Sequence, residues 1–526
     1  MAKPGDIIPT KIDRWDGGIT SDLRGSAENT AAAITNFDII TNPHKMTSYR
    51  NSENGDTDAS TSQKRIFDIG FWNVTNTWRL FALGVVSGST KASIHMKLLT
   101  TGGSTDLDDS GWTDPANNVS ATNGVSQNFF KYYHRTKKFY GAQAGNAIWS
   151  FVPDGATAFN EAEFPVSYTN IAQGLVHSKD DILYVPIDNK IYRNNNGAWE
   201  LALTLPEHFY ITSICEFGND LGIAMTHLGT SSGVGESRVF IWDRDVSVTI
   251  LSETIGWGDG QLQILDVVDG LLLGISLVGN TTTQFIDRIA FRYLAGNDQF
   301  GYRAEDLFTL QASSTASTTQ LPIGKQIRDG RLHFMMMIEL AGAQRDGVWS
   351  IGRSNGQWVL AHERTPNNDT ALSGGVLHGF FYVGDYLFQT FTTSAAVTTM
   401  KTNDANAYAS SIWESKIFNA GDSSLKKDLV GVSVTTEPLA SGEQVVVAYR
   451  TDANIHSGAA YTTLLTHDTD NAIADSAINI ESSGANLPTD YNEIQFQLTA
   501  SGGSGATGTE ITGFLFRERI TGKRPF

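Results

Sequence analysis

Apolar residues along this chain fall into short runs separated by turns, and helical spacing is nearly absent. Few stretches place apolar residues at i, i+3, i+4 and i+7 between caps, because Gly and β-branched residues keep interrupting them. What recurs is an apolar run, a turn of Gly, Asn or Asp, and a second run, which predicts an all-β chain. The clearest unit is Ile171–Leu203. Leu175-Val176-His177, Ile182–Pro186, Ile191-Tyr192-Arg193 and Ala198–Leu201 alternate there with turns at Lys179–Asp181, Asp188–Lys190 and Asn194–Gly197. That reads as a four-stranded meander with Trp199 on its last strand.

Comparable units lie at Ile66–Leu99, Asn128–Val152, Tyr210–Asp243, Leu262–Tyr293, Ile327–Ala361 and Leu372–Lys401. About seven units at intervals of roughly 40–60 residues are the period of propeller blades, whose sheets cannot bury both faces alone and stack around a central channel. The competing arrangement is a series of unrelated meanders in two stacked sandwiches, and no strict Gly-His…Trp-Asp signature is present to exclude it.

Residues 1–65 carry few strand-like runs. Ile34–Ile40 is the clearest, and Asn51–Ser62 is polar enough to predict a loop, so this region reads as an extended arm. Residues 66–404 form the expected β-propeller. Beyond them the pattern changes to Lys426–Val434, Gln444–Tyr449, Ala477–Ile480, Glu493–Leu498 and Ile511–Arg517, separated by polar turns. This predicts a separate antiparallel β-sandwich over 405–526.

Composition narrows the classes. With 526 residues, 40% hydrophobic and 10% aromatic, the chain can bury enough surface to fold. One cysteine excludes an intrachain disulfide, and its place in Ile211–Phe217 predicts a buried, inert Cys215. A formal charge of −18 argues against wrapping nucleic acid and against tight binding to anionic lipid. The start lacks a signal-peptide core, and Val267–Val278, broken by Asp269 and Gly270, is too short to span a bilayer. A soluble protein made in a reducing cytoplasm is the expectation.

No catalytic set is visible. Propeller glycosidases need two facing carboxylates. Glu161, Glu163, Asp180, Asp181, Asp243, Asp245 and Asp287 are the candidates, each with an ordinary role as a turn or edge residue. The Ser-x-Asp-x-Gly-x-Thr-Trp turn of sialidases, the Gly-x-Ser-x-Gly elbow and a Walker loop are absent. Asp106, Asp108 and Ser110, with Gly111 and Asp114, follow the start of an EF-hand loop, but Asn117 stands where the bidentate glutamate belongs. Calcium there is the only cofactor candidate, against a solvated acidic loop. His467-Asp468-Thr469-Asp470 is less like a metal site, and the histidines show no zinc spacing. The basic end Arg517–Phe526 predicts a surface strand and a short tail that docks on an acidic neighbour, with phosphate as the alternative.

Two terminal regions carry a resemblance. Trp15-Asp16-Gly17-Gly18-Ile19, followed by Ala33–Ile39 and Lys45–Arg50, resembles the opening of tailed-bacteriophage virion proteins in which an arm precedes a β-propeller. Tyr491–Leu498 with Glu510–Leu515 is similar to the closing sandwich strands of such proteins. The sequence departs from that opening at Ile19-Thr20, where asparagine is common, and at Pro43-His44. The resemblance implies a non-enzymatic tail component of the nozzle or hub type, a six-fold homo-oligomeric ring in the virion tail. Such a ring lines the DNA exit path, touches phage DNA transiently during genome ejection, and holds neighbouring tail proteins, with the host surface as a further contact. The competing class is a carbohydrate-active protein: a glycan-hydrolysing propeller with a binding sandwich, or a receptor-binding tail fibre. Trp72, Trp257 and Trp413 would then be exposed to stack on sugars.

Overall fold

Turn chemistry sets the strands. Asp269-Gly270 and Asp329-Gly330 each join two strands by a two-residue loop with φ positive at both positions (50° and 75°, 51° and 71°). Those are the angles of a type I′ hairpin, which Asp tolerates and Gly adopts without cost. The computed structural model describes residues 5–523 apart from 20–23, 25–28, 51, 55–65, 73–76, 86–91, 99–112, 120–124, 144–146, 154–158, 229–234, 248–252, 280–285, 298–300, 312–319, 341–342, 355, 367–375, 385, 393–396, 403–407, 409, 421, 470–474, 480–486 and 503–507.

Among the described residues the strands form seven four-stranded antiparallel sheets in chain order, the blades of a β-propeller. Blade 1 comprises Ile66–Trp72, Thr77–Val85, Ala92–Leu98 and Thr113–Val119; blade 2, Val125–Tyr133, Lys138–Gln143, Ala147–Phe151 and Phe159–Pro165. Blade 3 comprises Leu175–Val176, Leu183–Ile187, Lys190–Asn195 and Ala198–Thr204; blade 4, Phe209–Phe217, Asp220–Leu228, Gly235–Trp242 and Glu253–Asp259. Blade 5 comprises Gln261–Val268, Leu271–Gly279, Ile286–Asn297 and Gly301–Gln311; blade 6, Gln320–Arg328, Arg331–Leu340, Ala343–Ser354 and Gln357–Arg364. Blade 7 takes Val376–Val383, Tyr386–Thr392 and Val397–Thr402 from one end of the chain and Ser52–Asn54 from the other. The polar stretch read as a loop therefore contributes a strand at Ser52–Asn54.

The predicted units contain the inner strands of most blades but omit Gln320–Arg328 of blade 6 and several outer strands. Phe159–Pro165 alternates between exposed and half-buried, and most of Gly301–Gln311 does the same. An outer strand faces water along one edge, so polar residues dilute its apolar run.

The chain divides into two compact units: residues 54–338 with 372–401, and residues 1–53 with 339–371 and 402–526. In the first, each blade packs on the next. Phe81, Leu83 and Ile94 of blade 1 join Phe130, Phe139 and Trp149 of blade 2. Tyr184, Ile191 and Leu203 of blade 3 join Ile214, Phe240 and Trp242 of blade 4. Phe67, Leu80 and Ala82 of blade 1 meet Phe388 of blade 7, which brings the first blade against the last. Each such large side chain contributes about 1.5–3 kcal/mol on burial.

Besides Ala343–Ser354 and Gln357–Arg364 of blade 6, the second unit holds two sheets. One runs Phe37–Asp38, Met46–Ser48, Glu510–Lys523, Leu425–Thr436, Asp475–Asn479, with Ile7–Ile12 also paired to Glu510–Lys523. The other runs Ala31–Thr35, Ser411–Ser415, Ile494–Ser501, Gln444–Thr451, Thr462–His467. Phe496 of the second sheet meets Phe514 and Phe516 of the first at ring separations of 5.1 and 4.7 Å. The one helix among the described residues, Asp452–Ser457, ends at Gly458 in the left-handed region (φ 67°).

Candidate functional site

The candidate carboxylates are engaged in structure. Asp180 and Asp181, in one turn of blade 3, reach in opposite directions. Asp180 pairs with Arg244 of blade 4 and accepts the Tyr184 hydroxyl proton at 2.8 Å. Asp181, at φ 61°, meets His134 of blade 2 at 2.8 Å, and its carbonyl accepts from the Tyr133 hydroxyl at 2.8 Å. The turn thus fastens blade 3 to both neighbours. Burial and then the adjacent Asp180 push the Tyr184 phenol well above its usual range. Ser178 adds a further tie, its hydroxyl donating to Glu216 of blade 4 at 2.8 Å.

Glu163 accepts from Lys138 (2.8 Å), Ser150 (3.0 Å) and Asn160 (2.7 Å), all within blade 2. Burial pushes its carboxyl up, but the bonds from Lys138 and Ser150 and the Lys138 charge outweigh burial and hold it below the carboxylate range. Asp243 and Asp245 cap their own loop: Asp243 accepts the Asp245 amide at 3.0 Å, and Asp245 accepts the Ser247 amide at 2.8 Å. Burial and then Asp243 raise the Asp220 carboxyl in the neighbouring turn. Glu161 lies in Phe159–Pro165, on the outer strand of blade 2. The Asp287 side chain, the calcium candidates Asp106, Asp108 and Ser110, and Asp470 lie outside the described residues. Among the described residues no group of three His, Cys, Asp or Glu side chains is placed to hold a metal.

The aromatic candidates for sugar stacking are a correction. Trp257 and Trp413 are buried, at 1% and 0% exposure, because Trp257 fills the joint between blades 4 and 5 and Trp413 packs edge-on against Trp15 at 5.2 Å. The Trp72 side chain lies outside the described residues. Cys215 is buried in the blade 4–5 joint, and burial pushes its thiol far up. That matches the burial expected of it.

The opening motif has a definite architecture. Trp15 is fully buried. Asp16 accepts from Arg14 (2.8 Å), Asn29 (3.3 Å) and Ser354 (3.0 Å). A Cβ on Gly17 would stand 2.4 Å from the Asn29 carbonyl oxygen, so the close approach of two backbones requires glycine there. Gly18 turns with φ 71° over Leu360, whose carbonyl accepts the Ile19 amide proton at 3.0 Å. The arm continues through Asn36, whose side chain both accepts the Thr365 amide (3.0 Å) and donates to the Ser410 carbonyl (3.0 Å). At the other end Arg517–Lys523 belongs to the long strand Glu510–Lys523, which is paired on both sides and buries Glu518 and Ile520, so it is a strand but not a surface one; the predicted tail at 524–526 lies outside the described residues. Sequence reasoning had not singled out Glu518, Lys427 or Tyr491, which the fold gathers in the interior of the second unit.

No protein-family model matches the chain, and no curated protein matches it. Among solved structures it is similar to the β-propeller domain of Cps50 (Swd1) from Myceliophteria thermophila, at 8% identity and a TM-score of 0.40 over 67% of this chain and 99% of that one. It is also similar to BBS1N in complex with ARL6DN (10% identity, TM-score 0.36, 69% and 98% covered). A third is oligopeptidase B from Trypanosoma brucei with covalently bound antipain (10%, TM-score 0.32, 68% and 47% covered). At these identities no residue role passes from them to this chain.

Proposed function

We propose that this protein is a structural subunit of a tailed-bacteriophage virion, a ring component of the tail nozzle or hub that lines the DNA exit path and anchors neighbouring tail proteins. The observation that carries the reading is the opening Trp15-Asp16-Gly17-Gly18-Ile19, which resembles the arm motif of such proteins. Trp15 packs on Trp413, while Asp16, Gly17, Gly18 and Ile19 meet Asn29, Ser354 and Leu360, so the motif serves to anchor the arm. Among the described candidates, Asp180 and Asp181 tie blades together, Glu163 is held within blade 2, and Asp243 and Asp245 cap their own loop, in keeping with a scaffold. A charge of −18 suits a conduit, since acidic walls repel the phosphate backbone and let DNA pass without sticking. No helix of the described residues is long and apolar enough to cross a membrane.

The test is the assembly state. The purified full chain, studied by light scattering and electron microscopy, is expected to form closed homo-oligomeric rings. A lone monomer at high concentration would overturn the ring, and binding on a glycan array or release of reducing sugar would favour the carbohydrate-active class.

A further inference from the structure

We propose that the second unit closes an intramolecular isopeptide bond between Lys427 Nζ and the side-chain amide carbon of Asn492, with Glu518 carrying the protons. Lys427 lies on Leu425–Thr436 and is fully buried, as are Glu518 and Tyr491 at 1% exposure each. Lys427 forms no ion pair within 4 Å among the described residues. Its Nζ donates instead to two backbone carbonyls, Leu425 O at 3.0 Å and Asn492 O. The Asn492 side-chain nitrogen donates to the same Leu425 oxygen at 3.1 Å, so amine and amide meet on one acceptor.

The backbone fixes that meeting. Lys427 and Tyr491 exchange both amide–carbonyl bonds (2.8 and 3.1 Å), which sets Asn492 one residue beyond the lysine's partner. Asp452 then accepts the amides of Asn492 (2.9 Å) and Glu493 (3.0 Å). Across the sheet Lys427 stands opposite Ile520 and Leu429 opposite Glu518, placing Glu518 diagonal to Lys427 on the same face. The Tyr491 hydroxyl donates to Glu518 at 3.0 Å and orients it. Phe418, Phe496 and Phe516 pack together in the same unit, within 6.4 Å of one another.

A buried ammonium without a contacting carboxylate is costly, and the neutral amine is the less costly form. Burial pushes Lys427 down, against the charges of Glu518 and Asp452, and pushes Glu518 up. A neutral amine spends two N–H bonds on the two carbonyls and keeps its lone pair for attack, while a protonated Glu518 can give a proton.

The chemistry balances without a co-reactant. The Lys427 lone pair adds to the Asn492 amide carbon, and its oxygen takes a proton from Glu518. The Glu518 carboxylate next accepts the surplus Nζ proton and passes it to the amide nitrogen. The carbon–nitrogen bond of the former amide breaks, ammonia leaves, and the oxygen's proton returns to Glu518. One amine and one primary amide become one secondary amide and ammonia, with no change of oxidation state. Holding amine and amide on one acceptor makes the reaction intramolecular, which raises its rate over that between free molecules.

Intact-mass spectrometry of the folded full chain is the test. The expected mass is one ammonia below that of the sequence, with a branched tryptic peptide joining the Lys427 and Asn492 segments. Lys427→Arg is expected to have the unshifted mass, and Glu518→Gln to remain uncrosslinked while folded by circular dichroism. A wild-type chain that keeps its full mass after prolonged incubation overturns the proposal whatever the variants do. So does an ammonia loss that maps to a linear succinimide at Asn492 with trypsin still cutting after Lys427.

Discussion

Gln326 grips the backbone of Tyr382 twice, accepting its amide proton at 2.8 Å and donating to its carbonyl at 3.1 Å, and so ties the inner strand of blade 6 to that of blade 7. The device recurs with other residues. Gln173, just before blade 3, grips Phe130 of blade 2 in the same two-bond way (3.1 and 2.7 Å). Ser213 of blade 4 bonds the amide and carbonyl of Leu265 of blade 5, at 3.2 and 3.3 Å. Asp68 of blade 1 accepts the Tyr132 amide of blade 2 at 2.6 Å. Inner strands of adjacent blades are not paired in a ladder, so side chains satisfy their inward-facing backbone groups.

Gln326→Ala leaves two half-buried backbone groups without their partner. The expected loss is about 1–3 kcal/mol, read as a shift in the denaturant midpoint at constant slope.

Asp180 and Asp181 should separate in the same assay. The Asp180 carboxylate is 25% exposed against 12% for Arg244, whereas Asp181 is 44% exposed. Asp180→Ala is expected to cost more than the ~1 kcal/mol ceiling of an exposed pair, and the side-chain loss in Asp181→Asn to stay below it.

Trp15→Ala is expected to cost about 3–5 kcal/mol, since the ring is fully buried against Trp413. Limited proteolysis should then cut the arm before any other described segment, and an arm that resists cleavage as in the parent would contradict its anchoring at this ring.

His362 gives a pH dependence. Burial pushes its imidazole down to about 4, while Nε2 sits 2.7 Å from the Asp346 carbonyl. The unfolded chain binds its proton first as pH falls, so the contribution is complete above about pH 6.5 and is lost progressively towards pH 4, by up to about 3 kcal/mol. His362→Gln should flatten the stability profile across that window and leave it unchanged at pH 8 relative to its own plateau.

Cys215 is expected to ignore a thiol reagent in the native protein and to react fully in denaturant. Native reactivity at neutral pH would contradict its burial and its raised thiol.

Much of this fold is legible in the chain. Asp269-Gly270 and Asp329-Gly330 announce their hairpins by residue type alone, and the runs Leu183–Ile187 and Leu271–Gly279 announce buried strands. Local chemistry decides such elements, and local chemistry is written in order. What escaped was decided by distant partners. Ser52–Asn54 has no apolar signal and becomes a strand in the sheet of Val397–Thr402. Trp413 carries the same letter as an exposed sugar platform would, and the distant rings of Trp15 and Phe514 make it core. Asp180 and Asp181 are identical neighbours in sequence, yet blade 4 claims one and blade 2 the other.

By itself, the sequence determined that the chain is built of short antiparallel strands in about seven repeats, because alternation and turn residues act over a few positions. Tertiary structure alone decided which polar residue becomes a clamp, which aromatic becomes core, and which lysine meets which asparagine. Those roles depend on contacts between residues hundreds of positions or several strands apart, and no local pattern encodes the loop closures that bring them together.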